Sequence, residues 1–282
     1  MIWLILVLIS AVAFSLGTLL KKVFFNRGNR DPYAYSIVYQ LLTASLIFIY
    51  TLFAGFNLPP MRPLIGSFAI ITVLYALGNI TFFRGLKSTD ASVASVLMSS
   101  RPIWVMIAAA LFLQESISIG RLAGTILVVL GILLITWKHN SIKFKKGHFL
   151  ILFSALSFGL AFIGTAIILR SMEAATFGVL AFTFPALFLM AINPKVIPKI
   201  KTIINKKTFL EVLGACFFQA IAGVAMYNAY RFGGDASQIT PIRELSVVLT
   251  VILGYLILKE KTNIVRKIIG SIISFLGVLL LI

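Results

Sequence analysis

The chain has 282 residues, 60% hydrophobic and 12% charged, with a formal net charge of +17. A soluble domain carries roughly twice that charged fraction, and the mean hydropathy of +1.05 excludes an ordinary water-soluble globule. In a soluble protein the positive balance would suggest nucleic acid. Here lysines and arginines stand between apolar runs, so they read as loop positives that orient a chain in a bilayer, with no nucleic-acid partner.

The first run, MIWLILVLIS, lacks the positive n-region of a cleavable signal. Its first lysines, Lys21 and Lys22, follow the apolar stretch, which predicts an uncleaved first helix with its N-terminus outside. A helix needs about 20 apolar residues to cross the hydrocarbon. Ten such runs follow one another, at 2–20, 33–54, 64–86, 91–113, 119–137, 149–169, 175–193, 209–231, 236–258 and 265–282. The connections are short and leave no room for a soluble domain. The expected fold is an all-α polytopic membrane protein. The lone cysteine, Cys216, lies in an apolar run without a disulfide partner. His139 and His148 read as solvated loop histidines, and no metal or cofactor site is expected.

The two halves repeat. Asp-Ala-Ser recurs at 90–92 and 235–237, a spacing of 145, which Glu115 and Glu260 keep, as do Arg121 and Arg266. Ser10, Ala11 and Phe14 match Ser154, Ala155 and Phe158, while Gly124 and Gly131 match Gly270 and Gly277. The unit is five helices, present twice. Five is odd, so the second copy enters the membrane upside down, the inverted repeat of many secondary transporters. The division expected is 1–137, a basic loop at 138–146, and 147–282. Nineteen lysines and arginines fall on one side of this arrangement and four on the other. The positive-inside rule makes the richer side cytoplasmic and turns both termini outward.

Two five-helix repeats in this length resemble the EamA-type transporters of the drug/metabolite transporter superfamily. The resemblance rests on Ser-Ser-Arg-Pro-Ile-Trp with Pro102 near the middle of the fourth helix, on Glu115, and on Gly124 with Gly131. Leu-Lys-Glu-Lys-Thr with Gly270 and Gly277 echoes them. It departs at Phe14-Ser15, where the family often has Trp-Gly, and in the outward termini. The resemblance implies a transporter in the cell (inner) membrane, a monomer or homodimer, that exports amino acids, related metabolites or toxic compounds, often coupled to protons.

Three charges lie inside apolar runs. Arg101 is about 16 Å along a helix from Asp90, near mid-membrane, where insertion scales charge about 2.5–3.5 kcal/mol for an arginine. Either it meets an anionic substrate group in a watered cavity, or Glu244 and helix carbonyls neutralise it. Arg243 and Glu244 are adjacent and project roughly 100° apart, so they need not pair with one another. Glu244 reads as a counter-charge if an arginine is near and as a proton carrier otherwise. Pro241 can bend that helix. Polar stripes mark inward faces: Ser10, Phe14, Gly17 and Lys21 on the first helix, Ser36, Gln40 and Thr43 on the second, Tyr75 and Asn79 on the third, and Gln219, Gly223, Tyr227 and Tyr230 on the eighth. Each can equally be interhelical bonding, worth about 0.6 kcal/mol. Candidate substrate contacts are Arg101, Arg243, Glu244, Asn79, Tyr75, Gln219, Asn228 and Trp104. The glycine pairs read as close helix packing. Asp90 and Asp235 read as N-caps, and Glu115 and Glu260 as interfacial residues.

No Walker motif, Rossmann pattern or catalytic set appears, so neither an ATP-driven pump nor an enzyme is expected. The reading is a secondary transporter of small metabolites, an exporter of amino-acid-like or other carboxylate-bearing compounds, working by alternating access. The alternatives are a non-transporting membrane scaffold or sensor, and a lipid-linked sugar carrier of the same fold.

Overall fold

The computed structural model describes residues 2–26, 31–87, 97–136, 146–204, 209–258 and 264–281. The first repeat comprises α1 (Ile2–Asn26), α2 (Pro32–Ala54), α3 (Ile65–Lys87), α4 (Arg101–Ala108, continued by one π-helical stretch, Ala109–Leu113) and α5 (Ile119–Thr136). The second comprises α6 (Lys146–Ile168), α7 (Ala174–Ile192), a short α8 (Ile197–Ile203), α9 (Phe209–Arg231), α10 (Ala236–Arg243), α11 (Leu245–Leu258) and α12 (Ile264–Leu279). Six of these, α1, α2, α3, α6, α7 and α9, are each long and apolar enough to cross a bilayer unaided. The ninth span is split into α10 and α11.

Inverted symmetry shows in which helices touch. α1 packs along α9, and its repeat-mate α6 packs along α3. α2 lies on its own mate α7, and α5 on its own mate α12. α4 leans on α6 as α10 and α11 lean on α1. A two-fold relation in the membrane plane produces this pairing. Without a hydrophobic drive between helices in lipid, close approach depends on small residues. The α5–α12 seam is the tightest. A Cβ on Gly124 would meet the Gly277 carbonyl at 2.7 Å, and one on Gly131 would collide with the Gly270 carbonyl and Ser274.

Three expectations change. The stretch between α7 and α9, expected to be plain loop, carries a 3-10 turn (Pro194–Val196) and then α8, which buries Val196 and Ile203. Pro102 lies in the first turn of α4 rather than mid-helix, a place where its missing N–H costs nothing. His148 is buried in the first turn of α6 instead of solvated. Asp90, His139 and Glu260 lie outside the described residues.

Candidate functional site

The charged centre forms where two repeat-related spans break. The chain turns at Ser99 and Ser100 before α4 starts at Arg101. It turns again at Glu244 between α10 and α11. At the repeat spacing of 145, Ser99 and Glu244 are the same position. Pro241 sits in the last turn of α10, and the Glu244 N–H is shared between the Thr240 and Pro241 carbonyls, at 3.2 and 3.1 Å.

This break aims adjacent side chains in different directions. Glu244, 3% exposed, turns to α4, where one of its oxygens accepts both Nε (3.0 Å) and a terminal nitrogen of Arg101. Of the two readings open for Arg101, the ion pair with Glu244 is the arrangement present, and Glu244 is the counter-charge. The Arg101 guanidinium also lies 5.3 Å from the Phe162 ring centre. Cation–π attraction in a desolvated place is worth up to about 2 kcal/mol and helps offset burial.

Arg243 turns to α1 instead. Its Nε donates to Ser10 Oγ at 3.1 Å, and Ser10 Oγ donates onward to the Ala222 carbonyl at 2.7 Å. The guanidinium stands 4.5 Å from the Phe14 ring centre. It is buried, and its terminal nitrogens bond to no described residue.

A third cation joins from α1. Side chains in a helix lean toward its N-terminus, so the Lys21 stem runs back into the bundle. Its ammonium reaches 4.8 Å from the Phe14 ring centre and 5.0 Å from that of Tyr39. Lys21 donates to Tyr39 Oη at 3.3 Å, and Tyr39 Oη donates to Gln219 Oε1 at 2.7 Å. One aromatic ring, Phe14, therefore touches two cations, and neither forms an ion pair with a described carboxylate.

One cavity lies toward each face of the bundle. On the face that carries the N-terminus lies a cavity of about 410 Å³, lined by Glu115, Arg170, Tyr230, Gly233, Asp235 and others. Gly233 adopts φ +86°, which lets the chain turn from α9 into α10. Tyr230 lines this cavity. Its hydroxyl is buried beside Thr240 Oγ1, and neither oxygen forms a well-directed hydrogen bond. On the opposite face a cavity of about 220 Å³ is lined by Asp31, Tyr33, Ser36, Phe83 and Arg84. Tyr39 is one turn further along α2 from Ser36, on the same side, and reaches Lys21. Asp31 caps α2 through the N–H groups of Tyr33 and Ala34 and pairs with Lys199 at 2.7 Å. Burial acts to raise the Asp31 carboxyl, but the Lys199 hydrogen bond and those two N–H groups outweigh it and hold it below the usual aspartate range.

The expected caps are rearranged. Asp235 occupies the N-cap position of α10 without capping it and pairs with Arg121 at 2.7 Å. Glu115, expected at the interface, supplies the cap. Its carboxylate accepts from the N–H groups of Ala236 (2.8 Å) and Ser237 (3.1 Å) and from Ser237 Oγ (2.6 Å). An anion at a helix N-terminus is favourable because the unpaired N–H groups point at it.

The remaining sequence candidates divide. Tyr75 bonds Thr165 at 2.8 Å and lies beside Phe162, the ring that holds Arg101. Gln219 joins the Lys21 network. Asn79 and Asn228 turn their amides back to the carbonyls of Tyr75 and Val224 on their own helices, and no hydrogen bond ties them to the charges. Trp104 is exposed, with its Cβ against Gly159, and stacks on no described ring or cation. Tyr39 was missed in the sequence. Ser10, Phe14 and Lys21 were visible as a stripe at helical spacing, but nothing local ties that stripe to Arg243, which is more than 220 positions away.

The fold and the charged centre define a polytopic helical membrane bundle of two inverted repeats with ionised side chains inside it. Comparison with known proteins agrees. The EamA-like transporter family matches residues 1–137 and 145–282, and the chain belongs to it. It is 30% identical over 146 residues to the uncharacterized transporter YvbV of Bacillus subtilis, covering 49% of this chain and 46% of that one. It is 24% identical over 259 residues to the chloroplastic WAT1-related protein At3g02690 of Arabidopsis thaliana, covering 86% and 61%. The chain thus matches less than two thirds of the length of either relative. A solved crystal structure shares the fold at TM-score 0.77 and 12% identity, over 99% of this chain and 95% of the other.

Proposed function

We propose that the protein is a secondary transporter that exports small metabolites bearing a carboxylate or a similar anionic group. The units 1–137 and 147–282 rock against one another and expose the charged centre to each side in turn, in the cell membrane with both termini outward. One observation supports the substrate class above the others. Arg243 is buried mid-span with only Nε engaged, while the one carboxylate near it, Glu244, is taken by Arg101. Burying a cation with unfilled donors is costly, and an anionic substrate group fills them. A cavity on each face marks where such a substrate would enter and leave as the units rock.

The test is flux of labelled carboxylates in proteoliposomes. Arg243→Gln is expected to cut flux by more than about tenfold, the equivalent of about 1.4 kcal/mol, while membrane insertion and monodispersity persist. Wild-type flux in that variant would sink the reading. A protein that passes no solute at all would be a scaffold instead.

A further inference from the structure

The geometry points to a two-point anion site, in which the Arg243 guanidinium and the Lys21 ammonium, both held against the Phe14 ring, each take one negative charge of a single small dianion. The inference rests on the reading of Arg243 above and deepens it by naming the charge of the substrate.

The argument is one of charge and reach. Arg243 and Lys21 lie 4.5 and 4.8 Å from the centre of one ring, so they are separated by no more than the sum of those distances. That upper bound admits a short dicarboxylate, and the closer separations within it admit a single phosphate group. Like charges this close in a medium of low dielectric repel, and no described carboxylate pairs with either. The lysine makes the point sharply. A lysine near a helix end in a membrane protein ordinarily extends to the interface. Lys21 is near the end of α1, yet its ammonium turns inward to Phe14 and to Tyr39, whose hydroxyl bonds Gln219. Placing a second cation beside a first is unfavourable unless an anion completes the set. A monocarboxylate would satisfy Arg243 and leave Lys21 facing only neutral groups. A zwitterion would bring an ammonium toward two cations, and the nearby Glu244 is already bound to Arg101. A dianion balances both charges, with the Tyr39 hydroxyl and the Gln219 amide beside the Lys21 end to orient it.

The experiment uses purified full-length protein, with ligand protection against thermal unfolding and counterflow in proteoliposomes. The probes are succinate, glycerol phosphate, butyrate and alanine. At least one of the two dianions is expected to bind about tenfold tighter than butyrate or alanine, and the better of the two identifies the source of the charge. Lys21→Met is expected to erase that preference by lowering dianion affinity to the level of butyrate, and Lys21→Arg to retain most of it. Equal binding of dianions and butyrate by the wild type overturns the two-point site. So does a Lys21→Met variant that weakens all anions alike or none. If Arg243→Gln abolishes anion binding while Lys21→Met leaves the dianion preference intact, only the two-point site falls. If Arg243→Gln changes nothing, the anion-transport reading falls with it.

Discussion

In the first repeat the chain turns at Ser99 and Ser100 and then starts α4; in the second it turns at Glu244, the equivalent position, and then starts α11. The two breaks share a backbone plan and differ in chemistry. Ser99 is small and buried, and Met98 stands where the second repeat has Arg243. Arg101 in turn stands where the second repeat has Ser246. The comparison shows that duplication conserved a place where helices end inside the membrane, and that the charges were distributed unequally over it. One cation and one anion join across the repeat interface as Arg101–Glu244, and a cation is left over. A symmetric pair of breaks thereby produces a one-sided site.

The sharpest way to break this comparison is to remove the anion. Glu244→Gln leaves the largely buried Arg101 without a counter-charge, and cutting one partner from a fully buried pair costs about 3–5 kcal/mol. Thermal unfolding in detergent is expected to show a large loss of stability. In the double variant Arg101→Met, Glu244→Gln most of that stability is recovered, because neither member of the pair is left without its partner. If the two single changes simply add, the pair does not couple the repeats.

The α5–α12 seam, where the repeats stay alike, supplies the contrast. Gly131→Leu puts a side chain into the Gly270 carbonyl and Ser274, and overpacking of a tight contact costs about 1–3 kcal/mol. A Cβ on Gly66 meets no atom within 4 Å, and Gly66→Leu is expected to leave unfolding nearly unchanged. Equal stability of the two variants would mean that the seam opens freely.

A smaller effect is expected at the helix start beside the larger cavity. Glu115→Ala removes the cap of α10 and is expected to cost about 1 kcal/mol. Asp235→Ala removes only a half-exposed partner of Arg121 and costs less, since exposed ion pairs are worth about 0–1 kcal/mol. The reverse order would show that Asp235 and not Glu115 holds the α10 start.

How much of this could be read in the residues differs from element to element. Eight of the ten apolar runs agree with single described helices, because crossing hydrocarbon demands length and apolarity that composition displays directly, while 91–113 and 236–258 are interrupted at Ser99–Ser100 and at Glu244. The glycines at 124, 131, 270 and 277 announced the close seam, since only small residues allow such an approach. Arg101, Arg243 and Glu244 announced a special place, because charges inside apolar runs are rare and costly. Their pairing was left open. Glu115 was not legible as the α10 cap, because its partners stand 121 positions away and come near only when the repeats fold together. Trp104 looked like a site residue by its closeness to Arg101 along the helix, yet its side chain faces out.

The sequence by itself determined a membrane-spanning bundle, its duplication, its charge bias and the depth of its buried charges. These properties follow from hydropathy, spacing and counting, which need no knowledge of neighbours. Tertiary structure alone decided that Glu244 turns to Arg101 and Arg243 to Ser10 and Phe14, and that Lys21 turns inward to meet it. Neighbouring residues of a helix project roughly 100° apart, and which neighbour receives each one depends on how α1, α4 and α10 pack. That packing turns three charges and a lysine into one neutral pair and two cations held against one ring.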